Sequence, residues 1–126
     1  MPAQIVKSPN APQPKGPYSQ GLVAGGFLFV SAQGPFDSKT GKIAGSSIEL
    51  QTHQTLENVK AILEAAGLTV HNIVKVSVFL KNSSDFPKMN EIYKTYFPER
   101  PPARTTLEAG MPIPDVLVSM DAIAHA

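Results

Sequence analysis

The sequence predicts an α+β fold: one mixed β-sheet with two α-helices packed on one of its faces. Two short apolar segments are joined by Gly25-Gly26, two stretches of helical period flank one that alternates strictly, and two more apolar runs close the chain. The order hairpin, helix, strand, helix, strand, strand mixes a hairpin with helical crossovers. That combination gives strands of both directions and puts both helices on the same side.

Each element follows from its local chemistry. Pro9, Pro12, Pro14 and Pro17 keep the opening out of helix and sheet interiors, so residues 1–17 are expected to form an extended arm. Ser19 to Ala24 and Phe27 to Ala32 form a β-hairpin, because Gly25-Gly26 tolerates the positive φ of a two-residue turn. After the turn cluster Asp37 to Gly41, Ser46 and Glu49 match a capping box and should start the first helix. Ile48, Thr52, Leu56, Val59, Ile62, Leu63 and Ala66 recur at steps of three and four, and Gly67 stands where a left-handed C-cap belongs. Ile73 to Leu80 alternates with period two and reads as a central strand. Asp85 should cap the second helix, with Phe86, Met89, Tyr93, Tyr96 and Phe97 as its buried stripe and Pro98 as its stop. Ala103 to Ala109 and Val116 to Ala124 are the last two strands. On the final one, Val116, Val118, Met120, Ala122 and Ala124 share one face while Leu117 and Ile123 share the other. Both faces are partly apolar, and one layer of two helices covers only one of them, so association with other copies is expected.

Composition narrows the chemistry. A chain of 126 residues that is 42 % apolar suits a single domain over 1–126. With no Cys it has no disulfide, thiolate metal site or cysteine nucleophile. Its net charge of +1, without runs of like charge, makes nucleic acid an improbable partner. No apolar targeting segment or membrane span appears, which fits a protein of the cytosol. His53, His71 and His125 have no ligand spacing, so no metal is assigned, and Gly25-Gly26 precedes a strand, which does not fit a phosphate loop.

Two residues could carry chemistry. Arg104 follows Pro101-Pro102-Ala103 at the start of a strand, where its guanidinium would be rigidly placed for bidentate recognition of a carboxylate. The structural alternative is a sheet-edge arginine paired with Glu108 or Asp121. Asp121 interrupts the apolar last strand, either as a functional carboxylate or as the partner of Arg104 or Lys75 in an ion pair.

Three segments resemble the Rid (reactive intermediate deaminase) family: Gly16-Pro-Tyr-Ser-Gln20, Phe29-Val-Ser-Ala-Gln33 and Pro102-Ala-Arg-Thr-Thr106. Similarity extends through Leu56 to Gly67, Ile73 to Phe79 and Met89 to Phe97, nearly the whole chain. The resemblance implies a chorismate-mutase-like fold, a homotrimer, and intersubunit clefts that hydrolyse enamines and imines such as 2-aminoacrylate to 2-keto acids and ammonia, without a cofactor. It also implies that Arg104 holds the substrate carboxylate with help from the Thr106 backbone amide, and that Asp121 stands near the attacking water. Tyr18, Ser31 and Asn90 would line the cleft from the partner subunit. The family more often has Glu where this chain has Asp121, and Gly where it has Ala32 against the substrate. An RNA-binding or ribonuclease-like regulator and a chorismate-mutase-type catalyst are the rival readings.

Overall fold

A computed structural model describes residues 2–126. The strands are β1 (Gln4–Val6), β2 (Gly21–Ala24), β3 (Phe27–Gln33), β4 (Ile73–Leu80), β5 (Ala103–Glu108) and β6 (Val118–His125); the helices are α1 (Ile48–Ala65) and α2 (Phe86–Tyr96). All six strands form one sheet in the order β1-β2-β3-β6-β4-β5. Only β4 and β5 pair in parallel, joined through α2, and every other pair is antiparallel. The α+β class with one mixed sheet is thus the observed one. β6, last in the chain, fills the gap that the β3–α1–β4 crossover leaves between two parallel strands.

The hairpin turns as expected, with Gly25 at φ 59° and Gly26 at φ 82°, both in the left-handed region that a type I′ turn demands. The N-terminal arm does more than its prolines suggest. Gln4–Val6 adds an edge strand to β2, because Val6 can bury its side chain beside the core before Pro9 ends the extension. Further along the arm, the Gln20 side chain accepts from the Ser8 amide (2.6 Å) and donates to the carbonyls of Ser8 (3.1 Å) and Pro12 (2.9 Å).

α1 starts one residue later than the Ser46/Glu49 pattern indicates: Ser47 is the N-cap, its hydroxyl accepting from the Leu50 amide at 3.1 Å. Two adjacent serines compete for this role, and the one whose register buries Ile48 is used. The helix ends in a Schellman motif, with Leu68 N–H donating to Leu63 O (2.9 Å), Gly67 N–H to Glu64 O (3.0 Å), and Gly67 at φ 77°. Asp85 precedes α2 but makes no capping bond, since a single 3₁₀ turn over Ser83–Asp85 leads into the helix. The Glu108 side chain instead accepts from the Ser83 amide at 2.7 Å.

Both helices cover the same face. Val76, Val78 and Leu80 of β4 and Val118, Met120, Ala122 and Ala124 of β6 pack there with Leu56, Val59, Ile62 and Leu63 of α1 and Met89, Tyr93 and the adjoining Phe97. Removing this apolar surface from water is the main stabilising term. β4 lies inside the sheet but next to the edge, and β3 and β6 occupy its middle. The opposite face carries Ile5, Phe27, Phe29 and Leu107, all exposed, beside the half-buried Phe79, Asp121 and Ile123. No helix among the described residues is long and apolar enough to cross a membrane.

Candidate active site

β5 is an edge strand, and its register sets Arg104 opposite Val76 and Thr106 opposite Val78, on the helix-covered side. There the Arg104 guanidinium meets α2. Nη1 donates to Asn90 Oδ1 at 2.8 Å, and the guanidinium carbon lies 4.7 Å from the Tyr93 ring centre and 5.4 Å from that of Phe86. Among the described residues no carboxylate pairs with it, which removes the structural alternative of a partner at Glu108 or Asp121. A guanidinium has five N–H donors, so one amide and two ring faces leave donors for an anion.

The backbone adds another donor. One residue past β5, Ala109 N–H donates to Leu80 O at 2.8 Å. In a regular parallel ladder, alternate residues face the partner strand, so Arg104 and Thr106 turn their amides to the free edge. A cavity of about 440 Å³ opens beside Arg104, Asn90, Tyr93, Lys94 and Pro102. Burial pushes the Tyr93 phenol up to about 12, against the opposing pull of Arg104, so the ring is neutral at physiological pH. Its hydroxyl is buried without a hydrogen-bond partner, as is that of Thr106.

Asp121 lies on the opposite face of the sheet. It pairs with Ser77 of β4, and across from it β3 carries a bulge, with register passing from Val30↔Ala122 to Gln33↔Met120. One extra residue is accommodated at Ser31-Ala32, which presents both to that face; bulges of this kind re-aim side chains. Among the described residues the Asp121 carboxylate has neither an ion pair nor a side-chain hydrogen bond. Lys75, its suggested partner, donates to Thr105 Oγ1 at 2.6 Å. The Ser31 hydroxyl donates to Ser19 O at 2.6 Å and the Ser31 amide to Gln20 O at 2.9 Å. Ser31 thereby fastens the segment that carries Tyr18, which is 52 % exposed. Tyr18 and Ala32 border a cavity of about 240 Å³ whose mostly apolar wall includes Phe36, Met111, Ile113 and Val116, with Gln33 and Ser119 as its polar members.

The residues singled out in the sequence therefore fall into two groups. Arg104, Asn90 and Thr106 stand together at the sheet edge; Ser31, Ala32 and Asp121 lie on the far face, with Tyr18 beside Ala32. This corrects the expected grouping of Asn90 with Tyr18 and Ser31 across an interface: Asn90 stands in the same chain as Arg104 and binds it directly. Phe86 and Tyr93 join the first group, although their spacing marked them as core. Tyr93 is buried, but Phe86 is 38 % exposed and lies outside the core. The overlooked signal is that Phe86, Asn90 and Tyr93 stand at i, i+4 and i+7 on one face of α2.

Elsewhere, Tyr96 ties α1 to α2, donating to Glu57 Oε2 at 2.6 Å and lying 3.0 Å from His53 Nδ1. Burial and this bond raise the Tyr96 phenol above its ordinary range. Among the described residues no three His, Asp or Glu side chains are grouped to hold a metal ion.

Residues 8–126 match the model of the family described as Endoribonuclease L-PSP. The chain is 50 % identical over 122 residues to a RutC family protein of Pyrococcus horikoshii, with 97 % of each chain covered. It is 42 % identical over 125 residues to the 2-iminobutanoate/2-iminopropanoate deaminase of Salmonella typhimurium, again with 97 % of each covered. Among solved structures it is similar to Escherichia coli TdcF with bound serine, with a TM-score of 0.92, 38 % identity and 98 % of both chains covered.

Proposed function

Since this chain belongs to the Rid family, the one whose model bears the L-PSP description, we propose that it is a 2-iminobutanoate/2-iminopropanoate deaminase, which hydrolyses reactive enamines and imines to 2-keto acids and ammonia. The observation that carries this reading is Arg104: a guanidinium anchored by Asn90 and two aromatic rings, with no carboxylate partner among the described residues. Such a group suits the carboxylate of an imino acid. The relatives named as deaminases and the serine bound to TdcF, itself a small α-carboxylate, point the same way.

The reaction asks little of the protein. 2-Aminoacrylate tautomerises to 2-iminopropanoate, whose protonated imine carbon is electrophilic toward water without a protein nucleophile. Arg104 and the Thr106 amide hold the carboxylate, and Asp121 accepts a proton from the attacking water as its oxygen bonds to C2. Asp121 returns that proton to nitrogen and then takes the carbinolamine hydroxyl proton as the C–N bond breaks, so keto acid and ammonia leave. General base catalysis of this kind contributes about 10²- to 10⁴-fold, and fixing the carboxylate lowers the entropic barrier further.

Arg104 and Asp121 lie on opposite faces of one sheet, so acting on one substrate requires that they come from different subunits. The apolar outer face, with Phe27, Phe29 and Leu107 exposed, supplies a surface for that assembly, and a homotrimer is the proposed state. With a net charge of +1, the chain has little of the phosphate-neutralising charge that an RNA-directed role draws on. The test generates imines in situ from several amino acids with an oxidase or dehydratase and compares keto-acid release with and without the protein. Acceleration supports the reading, and release at the solvent rate rejects it.

A further inference from the structure

We propose that the Phe86-Asn90-Tyr93 face of α2 is a cradle that positions Arg104 for substrate binding, with Tyr93 acting through its ring rather than its hydroxyl. The inference rests on the proposed imine hydrolysis and deepens it, because it names residues that set the affinity for the carboxylate. Three side chains, each one helical step from the next, converge on one guanidinium: Phe86 at 5.4 Å, Asn90 Oδ1 at 2.8 Å and Tyr93 at 4.7 Å. An exposed arginine loses rotamer freedom when it binds an anion. One already held over two ring faces and fixed at Nη1 has lost that freedom beforehand, which is the benefit of preorganisation.

The Tyr93 hydroxyl makes the reading specific. Among the described residues it has no hydrogen-bond partner, in a residue only 6 % exposed, so its contact with Arg104 is made by the ring. What Tyr93 offers Arg104 is its π-face. The ring also packs on Phe97, with centroids 4.8 Å apart, which keeps that face aimed at the guanidinium. Phe86 covers the arginine from the first turn of the same helix and is 38 % exposed, so its role at Arg104 is separable from its share in the core.

Steady-state hydrolysis of 2-iminopropanoate is measured on the wild type, Tyr93→Phe, Tyr93→Leu and Phe86→Leu, with kcat and KM resolved and thermal unfolding recorded for each. Tyr93→Phe is expected to rescue KM to within about twofold of wild type. Tyr93→Leu and Phe86→Leu are each expected to raise KM by about three- to thirtyfold, the range of one cation–π contact, with a smaller change in kcat. Phe86→Leu carries the test alone if Tyr93→Leu fails to fold. The cradle is overturned if the folded Leu variants keep the wild-type KM, or if Tyr93→Phe loses as much as Tyr93→Leu. A wild type that does not accelerate hydrolysis at all overturns the functional reading beneath it, a distinguishable result.

Discussion

Arginine and lysine differ in ways that decide the role of residue 104. Lysine keeps the charge but cannot give two parallel donors to a carboxylate or offer a planar, delocalised cation to the rings of Phe86 and Tyr93. Arg104→Lys should therefore lose most activity, and Arg104→Ala about 2 to 5 kcal/mol of transition-state binding, roughly thirtyfold to several thousandfold in kcat/KM. Neither change should unfold the protein, because Arg104 makes no ion pair that the fold depends on; thermal unfolding beside kinetics checks both points. Asp121→Asn should lower kcat more than it raises KM, while Asp121→Glu, which keeps the carboxylate, should stay active. Full activity in Asp121→Asn would pass water activation to another group. Tyr93 gives a pH signature. Burial lifts its phenol from 10.0 to about 12, so between those values the native state holds a proton that the unfolded chain has released. Its contribution to stability is complete below about pH 10 and is lost as pH rises through about 12. Urea midpoints across that window should fall more steeply for wild type than for Tyr93→Phe. In the sequence, Arg104 stands out because it follows Pro101-Pro102-Ala103 at the start of a strand, and Asp121 because it interrupts an apolar one. Phe86 and Tyr93 are not, because aromatics at helical spacing read equally well as core.

At the level of elements, α1 does more than cover the sheet. Gln51, 1 % exposed, donates to the carbonyls of Gly45 (3.2 Å) and Asp115 (2.9 Å) and accepts from the Leu117 amide (2.8 Å). It clamps the loop before β6, in which Asp115 is held at φ 69°. Gln51→Leu would remove three part-buried hydrogen bonds and should destabilise by about 2 to 4 kcal/mol, read as a lower urea midpoint with an unchanged m-value. Asn58 performs a similar task for the loop after β3, donating to Gly34 O (3.0 Å) and Phe36 O (2.9 Å). Hydrophobic period and turn glycines make the hairpin, both helices and β4 to β6 readable from the sequence alone. β1 is not, because three residues among prolines carry no period, and the cap of α1 shifts by one because Ser46 and Ser47 offer the same chemistry. The buried glutamine and asparagine clamps leave no sequence signal because their partners are backbone atoms distant along the chain.

For the whole molecule, the placement of Arg104 and Asp121 on opposite faces of the sheet is the governing observation. The doubly apolar β6 indicates association by its sequence, whereas the separation of Arg104 from Asp121 follows only from the register of β4 with its two neighbours. A trimer of about three times 13.5 kDa is expected by sedimentation, and a stable monomer at micromolar concentration would leave Arg104 and Asp121 apart. Complementation tests the central claim most directly. Arg104→Ala and Asp121→Asn are purified separately, unfolded, mixed and refolded together, and keto-acid release from 2-iminopropanoate is compared with each variant refolded alone. If the site is shared between subunits, mixed oligomers join an intact Arg104 from one chain to an intact Asp121 from its neighbour, and activity well above either parent returns. A mixture no more active than its parents, beside an active wild type, would contradict the shared site.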